Sequence, residues 1–177
     1  TNAGLVLGRC VDLGINVVRT WAFRDGDNDP LKPPPLQYRA SGFNEDAFRK
    51  LDKLILMAKR HNIRLILPLL NFGDDGGGIA QYQKWAAKNP KFSKEESIID
   101  ESYAKSWRSS EQCPLFFIDP VCVDLYQWMV KTVTGRVNHL THVAYRDDPT
   151  IMMWELCNGC RCPGSDGEPL LQWIREM

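Results

Sequence analysis

The sequence predicts an α/β fold, and more narrowly a partial (β/α)8 (TIM) barrel of about three strands and their helices. Segments with helical periodicity alternate with short β-branched or apolar segments along the 177 residues, as in βα units of a parallel sheet. Three strands cannot close a barrel, which needs eight strands and about 250 residues. A small open sheet is the alternative, but no Gly-x-Gly-x-x-Gly fingerprint follows the first strand. We therefore expect residues 1–177 to be the N-terminal to middle segment of a single barrel domain.

The first unit is a helix followed by a strand and a long loop. Residues 5–13 have helical periodicity, and Gly14 lies where a helix would stop. Residues 15–23 are β-branched and aromatic, which predicts a strand. The loop at 25–42 is rich in Pro, Asp and Gly, and loops of that length are usually functional. The predicted apolar face of the helix is Val6, Cys10 and Leu13.

The second unit has the clearest helix signals. Asn44 is placed to cap a helix that carries acidic residues in its first turn and basic residues in its last turn, ending near His61. Residues 63–71 then predict a fully buried strand. Pro68 cannot donate a ladder hydrogen bond, so we expect a bulge or irregularity there. The predicted apolar face of the helix is Ala47, Leu51, Leu54 and Ala58.

The third unit is longer and less regular. Residues 79–88 predict a short helix, and a polar, irregular stretch follows to residue 113. Asp119, as cap, and Pro120, at the first helical position, predict a helix that runs to about Thr141. A strand at 150–157 and the start of a helix at 170–177 complete the pattern. The predicted apolar face of the long helix is Cys122, Tyr126, Met129, Val133 and Val137.

The charge balance argues against polyanionic partners. Twenty-two basic residues balance twenty-two acidic ones, so we expect neither nucleic acid nor a membrane surface as partner. A neutral polysaccharide suits this balance. No run approaches the roughly 18 apolar residues of a membrane span. The N-terminal residues lack a signal-peptide pattern, so we expect the signal of a secreted form to lie upstream.

The six cysteines leave two interpretations open. Cys157-x-x-Cys160-x-Cys162 supplies three thiolates, whereas a closed structural zinc site needs four ligands, and no second Cys pair follows. The other interpretation is a mixture of buried thiols and disulfides. The sequence does not determine which cysteines pair.

One stretch near the C-terminus carries a family resemblance. It reads Asp-Asp-Pro-Thr-Ile-x-x-Trp-Glu-Leu-x-Asn, followed two residues later by Arg-Cys, at 147–162. This motif resembles the β-mannanases of glycoside hydrolase family 5, and the likeness covers nearly the whole chain, including residues 14–23, 63–71 and 77–86. The resemblance implies a secreted barrel enzyme, without cofactor, that cleaves internal β-1,4-mannosidic bonds of β-mannan with retention through two glutamates.

The chain departs from that family at the catalytic acid. In the family, the residue after the motif's Asn is the Glu that acts as general acid and base, and a Pro follows it. Here Gly159 and Cys160 hold those places. The nucleophilic glutamate would lie on a later strand that this sequence does not contain. We therefore expect the chain alone to be inactive.

Four other positions are candidate substrate-binding residues by the same resemblance. In the family, Arg19 would hold the nucleophile in place, and Asn158 would hydrogen-bond the sugar 2-hydroxyl. Trp21 and Asn71 lie at or near predicted strand ends, where an aromatic ring can stack on a sugar. The alternatives are a structural ion pair for Arg19 and simple core packing for Trp21.

No other carboxylate is a clear replacement for the missing acid. Glu155 lies four residues before Gly159, or about 13 Å along a strand, whereas a retaining pair sits about 5 to 5.5 Å apart. We expect Glu155 to be a buried structural acid, paired or hydrogen-bonded. Asp74 and Asp75 lie on a glycine-rich loop that nothing in the sequence preorganises.

Three functional classes therefore remain: an endo-mannanase homologue that is catalytic when complete, a catalytically silent mannan-binding relative, and a cysteine-centred thiol or metal protein. Three strands also leave two sheet edges for pairing with other chains. We expect the isolated chain to self-associate, to aggregate or to be partly ordered.

Overall fold

The computed structural model describes residues 2–22, 24–26, 32, 34–73, 76–88, 93–99, 113–164 and 166–177. The helices are α1 (Asn2–Asp12), α2 (Glu45–Arg60), α3 (Gly78–Ala87), α4 (Leu115–Ile118), α5 (Pro120–Gly135), a 3-10 helix (Tyr145–Asp147) and α6 (Glu168–Glu176). The strands are β1 (Val17–Arg19), β2 (Gln37–Arg39), β3 (Gly42–Phe43), β4 (Arg64–Pro68) and β5 (Ile151–Glu155).

A parallel three-stranded sheet forms the centre of the fold. Its order is β1-β4-β5, with both pairs parallel, so the α/β prediction is confirmed. The three carboxyl ends therefore meet at one edge, where the polar residues that follow the strands come together. A separate antiparallel hairpin, β2–β3, lies in the long loop after β1 and was not predicted.

The second helix follows its sequence signals closely. The Asn44 side chain accepts hydrogen bonds from the backbone N–H of Asp46, at 3.0 Å, and of Ala47, at 3.3 Å. These bonds satisfy two of the donors that a helix start leaves unpaired. Leu51 and Ala58 are buried against the sheet as predicted, and Ile55 and Phe48 join them. The predicted helix is confirmed.

The predicted strands are longer than the observed ones. β1 has three residues instead of nine, and Phe23 lies outside the described residues. In this sheet β1 is an edge strand that pairs with β4 alone. The irregularity expected at Pro68 is also misplaced, because the register shift falls between Leu65 and Ile66. Pro68 is the last residue of β4, where its missing N–H disturbs little.

Two helix predictions were wrong in detail. The expected face of α1 is largely solvent-exposed, with Val6 at 56% and Leu13 at 77%, while Leu7 is buried. Packing of α1 on α2 determines which face of α1 is buried. The fifth helix ends at Gly135 and not near Thr141. Beyond it the chain turns back through a bridge between Val137 and Ala144, which leaves Val137 outside the helix.

Aromatic side chains fill the core between α3, α4, α5 and α6. Tyr82, Phe116, Tyr126 and Trp173 are almost fully buried and meet at ring-centroid distances of 5.0 to 6.4 Å. Edge-to-face and tilted contacts of this kind add to the burial of apolar area. This cluster fixes the helices that lie behind the carboxyl end of β5.

Neither outer strand of the sheet has a second partner in the described parts of the chain. Met152 and Met153 of β5 are about half exposed, at 49% and 48%. None of the described helices is long and apolar enough to cross a bilayer. The self-association expected from open edges stays a prediction.

Candidate active site

Four polar side chains form a connected cluster at the carboxyl ends of the three strands. Arg19, at the end of β1, donates from Nε and Nη2 to the carboxylate of Glu155, at 2.9 and 2.7 Å. Arg19 Nη2 also donates to Asn158 Oδ1 at 2.7 Å. Asn158 Nδ2 in turn donates to Asn71 Oδ1 at 3.0 Å. The structure thus joins three of the predicted site residues, Arg19, Asn158 and Asn71, directly to one another, and Glu155 is attached through Arg19.

The backbone holds the two asparagines side by side. Asn158 N–H donates to Leu70 C=O at 2.8 Å, and Phe72 N–H donates to Asn158 C=O at 3.1 Å. These two bonds form an isolated parallel bridge between Asn71 and Asn158 beyond the ends of β4 and β5. The sheet pairing therefore continues just far enough to fix both amide side chains.

The charged pair in this cluster is partly open to solvent. The side chains of Arg19 and Glu155 are 46% and 26% exposed. The hydrogen bond from Arg19 holds the pKa of Glu155 below its usual value, and the same bond raises the pKa of Arg19. Glu155 is paired as predicted, but the expectation that it is buried was wrong, since β5 is an edge strand of this sheet. Its carboxylate is ionised at neutral pH and has no proton to donate.

A cavity of about 250 Å³ lies beside this cluster. Trp21 is half exposed, at 50%, so it is not a core residue, and it lines this cavity. The walls are formed by Trp21, Arg24, Asp25, Pro68, Leu69, Leu70, Asn71 and Gly76. Two of the predicted binding residues, Trp21 and Asn71, thus line the same cavity.

Asp25 is a buried carboxyl that the sequence interpretation did not single out. It is 3% exposed, and its Oδ1 has no hydrogen-bond partner among the described residues. Burial raises the pKa of Asp25 to about 8, against a smaller opposing effect of Arg24. The loop over it is tight, because Asp25 N–H donates to Gly76 C=O and a Cβ at Gly77 would overlap the Asp25 backbone. Only its position after the first strand hinted at a role.

Gly159 lies at the position where the resemblance predicts the catalytic acid. Its φ of +64° is in the left-handed region, which glycine adopts without strain. It is exposed, and a Cβ added there would meet no atom within 4 Å. A longer side chain would thus have room but would need a different backbone conformation. Asp74 and Asp75 lie outside the described residues.

The six cysteines form one disulfide and four thiols, of which Cys113 and Cys122 are buried and Cys10 and Cys162 are half-buried. Cys157 and Cys160 are bonded across Asn158 and Gly159, so their sulfurs are not thiolate ligands in this state. Burial raises the pKa of Cys113 to about 11, and it raises the pKa of Cys122 well above its usual value. No group of three or more His, Cys, Asp or Glu residues that could hold a metal is found among residues with a described position. The mixture of disulfide and thiols is confirmed.

Comparison with known proteins identifies the family of this chain. The family model described as GH family 5 beta-mannosidase-like matches residues 6–177. Mannan endo-1,4-beta-mannosidase 8 of Oryza sativa subsp. japonica is 40% identical over 172 residues, which are 97% of this chain and 40% of that protein. Mannan endo-1,4-beta-mannosidase 4 of Solanum lycopersicum is 38% identical over 165 residues, 92% of this chain and 36% of the relative.

Two solved mannanase structures also superpose on this chain. The endo-beta-1,4-mannanase of Thermotoga petrophila superposes with a TM-score of 0.80 at 31% identity, covering 99% of this chain and 35% of that one. The endo-1,4-beta-mannanase of Rhizomucor miehei gives 0.76 at 27% identity, covering 99% and 46%. The chain spans 30% to 40% of the length of the curated relatives it matches. The family match over nearly all of its residues shows that this chain belongs to the β-mannosidase-like proteins of glycoside hydrolase family 5.

Proposed function

We propose that this chain is the saccharide-binding part of a retaining endo-β-1,4-mannanase-type barrel, and that on its own it binds β-mannan without hydrolysing it. The substrate class is mannan, galactomannan or glucomannan. The hydrogen-bonded chain from Glu155 through Arg19 and Asn158 to Asn71 carries the proposal. These hydrogen bonds fix polar side chains beside Gly159, a residue that has no carboxyl group.

The cluster is suited to a neutral, hydroxyl-rich ligand. Arg19 uses Nε and Nη2 to fix Glu155 and Asn158. Asn158 gives one of its two amide hydrogens to Asn71, and an amide carries two donors. The half-exposed ring of Trp21 supplies an apolar face beside these polar groups. An apolar wall with a few fixed polar groups is the usual composition of a small-ligand site.

Hydrolysis needs two carboxyl groups, and the residues with a described position do not supply them together. A retaining glycosidase places them about 5 to 5.5 Å apart, one as acid and one as nucleophile. Glu155 is ionised and committed to Arg19. Asp25 keeps its proton at neutral pH, but it is buried, and its Oδ1 has less than 1 Å² of accessible surface. Neither residue meets the requirement for a general acid at the scissile bond.

Secretion is part of the proposal. The resemblance implies it, and the Cys157–Cys160 disulfide supports it, because such bonds persist chiefly in oxidising compartments. The rest of the barrel, with the nucleophile's strand, would complete the fold in a longer protein. The three parallel strands and their helices, together with the superposition on mannanases, support this arrangement.

Binding and turnover are measured separately to test this function. Titration calorimetry with mannohexaose is compared with cellohexaose, and reducing ends are followed with galactomannan. We expect saturable binding of the mannan oligosaccharide, weaker binding after Asn158→Ala, and no turnover above background. Turnover near that of a complete mannanase would show that the chain is an enzyme by itself. Absence of oligosaccharide binding would refute the binding function.

A further inference from the structure

The turn after β5 is held differently on its two sides. Before Asn158, Leu156 C=O accepts a hydrogen bond of 2.7 Å from the hydroxyl of Tyr126, a buried member of the aromatic core. After Asn158, no backbone–backbone hydrogen bond within the described residues involves Gly159, Cys160 or Arg161. Among the described residues, the Arg161 carbonyl accepts a hydrogen bond of 3.6 Å from the Cys113 thiol, which is a weak donor. The path of the chain after Asn158 therefore has little backbone support.

The Cys157–Cys160 disulfide spans this weakly supported side. It closes a loop around Asn158 and Gly159 with a sequence separation of 3. Both cysteines pack against the core from half-buried positions. Gly159 is exposed, in a left-handed conformation, with no atom near its missing side chain. The disulfide thus ties the open end of the turn to the end that Tyr126 and the sheet hold.

We propose that the Cys157–Cys160 disulfide is a positioning cross-link for Asn158, so that saccharide binding depends on the oxidised state of this pair. The inference rests on the proposed mannan-binding function. The cross-link matters because the side-chain contact of Asn158 is open to water. The Asn158 side chain accepts a hydrogen bond from Arg19, whose own side chain is 46% exposed, so water competes for that bond. Without the cross-link, residues 159 and 160 can move away from the core. This movement would break the hydrogen bond that Phe72 N–H donates to Asn158 C=O.

The size of the loop separates this role from general stabilisation. A disulfide stabilises a fold by restricting the unfolded chain, and that effect is small when few residues are enclosed. Loss of this bond is therefore expected to act locally, on the turn and its ligand, more than on global unfolding. A merely structural disulfide would change the unfolding midpoint and the affinity together.

The experiment uses the 177-residue chain with and without the dithiol dithiothreitol. Each reduction gives two thiols, at Cys157 and Cys160, and converts the reagent to its cyclic disulfide. Hydrogen exchange by mass spectrometry follows the peptides that contain Phe72 and residues 156–162, with α5 as internal reference. Calorimetry with mannohexaose follows binding. Cys157→Ser/Cys160→Ser reproduces the reduced state, and Cys10→Ser, in α1, is the matched control that keeps the disulfide.

We expect exchange in the two site peptides to quicken by about tenfold or more on reduction or in the double variant, with α5 unchanged. We expect mannohexaose affinity to fall about tenfold, and reoxidation to restore both readouts in the wild-type chain. Cys10→Ser should behave as wild type.

The other outcomes separate the two proposals. Unchanged exchange in the site peptides would overturn the positioning role, and faster exchange with unchanged affinity would overturn the link to saccharide binding. Faster exchange in a chain that binds no mannohexaose in either state would support the cross-link and refute the mannan-binding function.

Discussion

Two polar networks in this chain use the same kinds of side chain and differ in burial. One surrounds Asp52 of α2, and the other links Arg19 to Glu155 at the carboxyl ends of the strands. The side chain of Asp52 is 0% exposed, whereas Arg19 and Glu155 are 46% and 26% exposed. The comparison teaches that a charged pair can hold the fold or build a site according to how much water reaches it.

The buried network ties α2 to the segment after α5. Asp52 accepts hydrogen bonds from Arg136 at 2.7 Å and from the Tyr145 hydroxyl at 2.5 Å, and it meets His139 Nδ1 at 2.5 Å. Burial by itself would raise the pKa of Asp52, but the bonds from Arg136, Tyr145 and His139 outweigh it, so the pKa lies below its usual value. A buried carboxylate satisfied this fully stays charged and fixes its neighbours.

The site network leaves one side open to a ligand. Arg19, Asn158 and Asn71 are connected in a line, and next to them lie a cavity and the exposed Gly159. Solvent screening makes the Arg19–Glu155 pair a weak contributor to stability. We expect the Arg19–Glu155 pair to orient the amide groups of the site, and the Asp52 network to stabilise the fold.

The largest expected effect is on the buried network. Asp52→Ala should lower the free energy of unfolding by about 3 to 5 kcal/mol, because it leaves Arg136 without its buried partner. Glu45→Ala is the matched control, since Glu45 contacts the same Arg136 from a 57% exposed position, and it should lower the free energy by about 1 kcal/mol or less. Urea unfolding followed by tryptophan fluorescence measures both. Equal losses would contradict the division by burial.

Asp25 sharpens the comparison as a buried carboxyl without such partners. Its folded pKa of about 8 lies above the usual 3.8, so the folded chain holds one more proton than the unfolded chain between these values. The stability that the protonated Asp25 contributes is therefore fully present below the unfolded pKa, and it is lost as the pH rises toward 8. Against Asp25→Asn, the wild-type free energy of unfolding should fall by about 1.4 kcal/mol per pH unit between pH 5 and 7. Parallel pH profiles would show that Asp25 is ionised in the folded chain as well, and would contradict its raised pKa.

The smallest effect on stability is expected in the site network. Glu155→Gln should barely move the urea midpoint, but it should reduce mannohexaose affinity about threefold to tenfold, the range for one weakened hydrogen bond. The reason is that Arg19 loses the charge that orients it toward Asn158. Asp147→Asn, which removes another exposed ion pair at 66% exposure, is the control and should leave affinity unchanged. A large stability loss in Glu155→Gln would make its pair structural.

The sequence predicted features that depend on near neighbours. The caps at Asn44 and Asp119 were predicted because a capping side chain acts on the next two or three residues. Arg19, Asn71 and Asn158 were named as site residues by the family resemblance alone. The structure brings their side chains into hydrogen-bond contact at the carboxyl ends of the strands, and their roles toward a sugar stay predictions.

Features set by distant contacts could not be predicted. The burial of Asp25 depends on the loop at 76–78 closing over it, some 50 residues later in the sequence. The exposed face of α1 depends on which side of α2 it packs against. The Cys157–Cys160 pair was one of several possible pairings, and α4 is too short for periodicity to reveal.

The position of the missing acid is the central claim, and a set of three grafts tests it. Residues 1–177 replace the corresponding segment of a complete family 5 mannanase, once with Gly159 kept and once with Gly159→Glu. Because φ at Gly159 is +64°, which strains a glutamate, a third graft carries Gly159→Glu with Cys160→Pro and so removes the disulfide that shapes the turn. Circular dichroism and thermal melting confirm that each graft folds.

The deciding measurement is kcat on galactomannan in the three folded grafts. If Gly159 occupies the acid/base position, at least one glutamate-bearing graft should be about 10² to 10⁴ times faster than the graft that keeps Gly159, the usual contribution of a general acid. The contradicting result is that all three fold and neither glutamate graft is faster than the Gly159 graft.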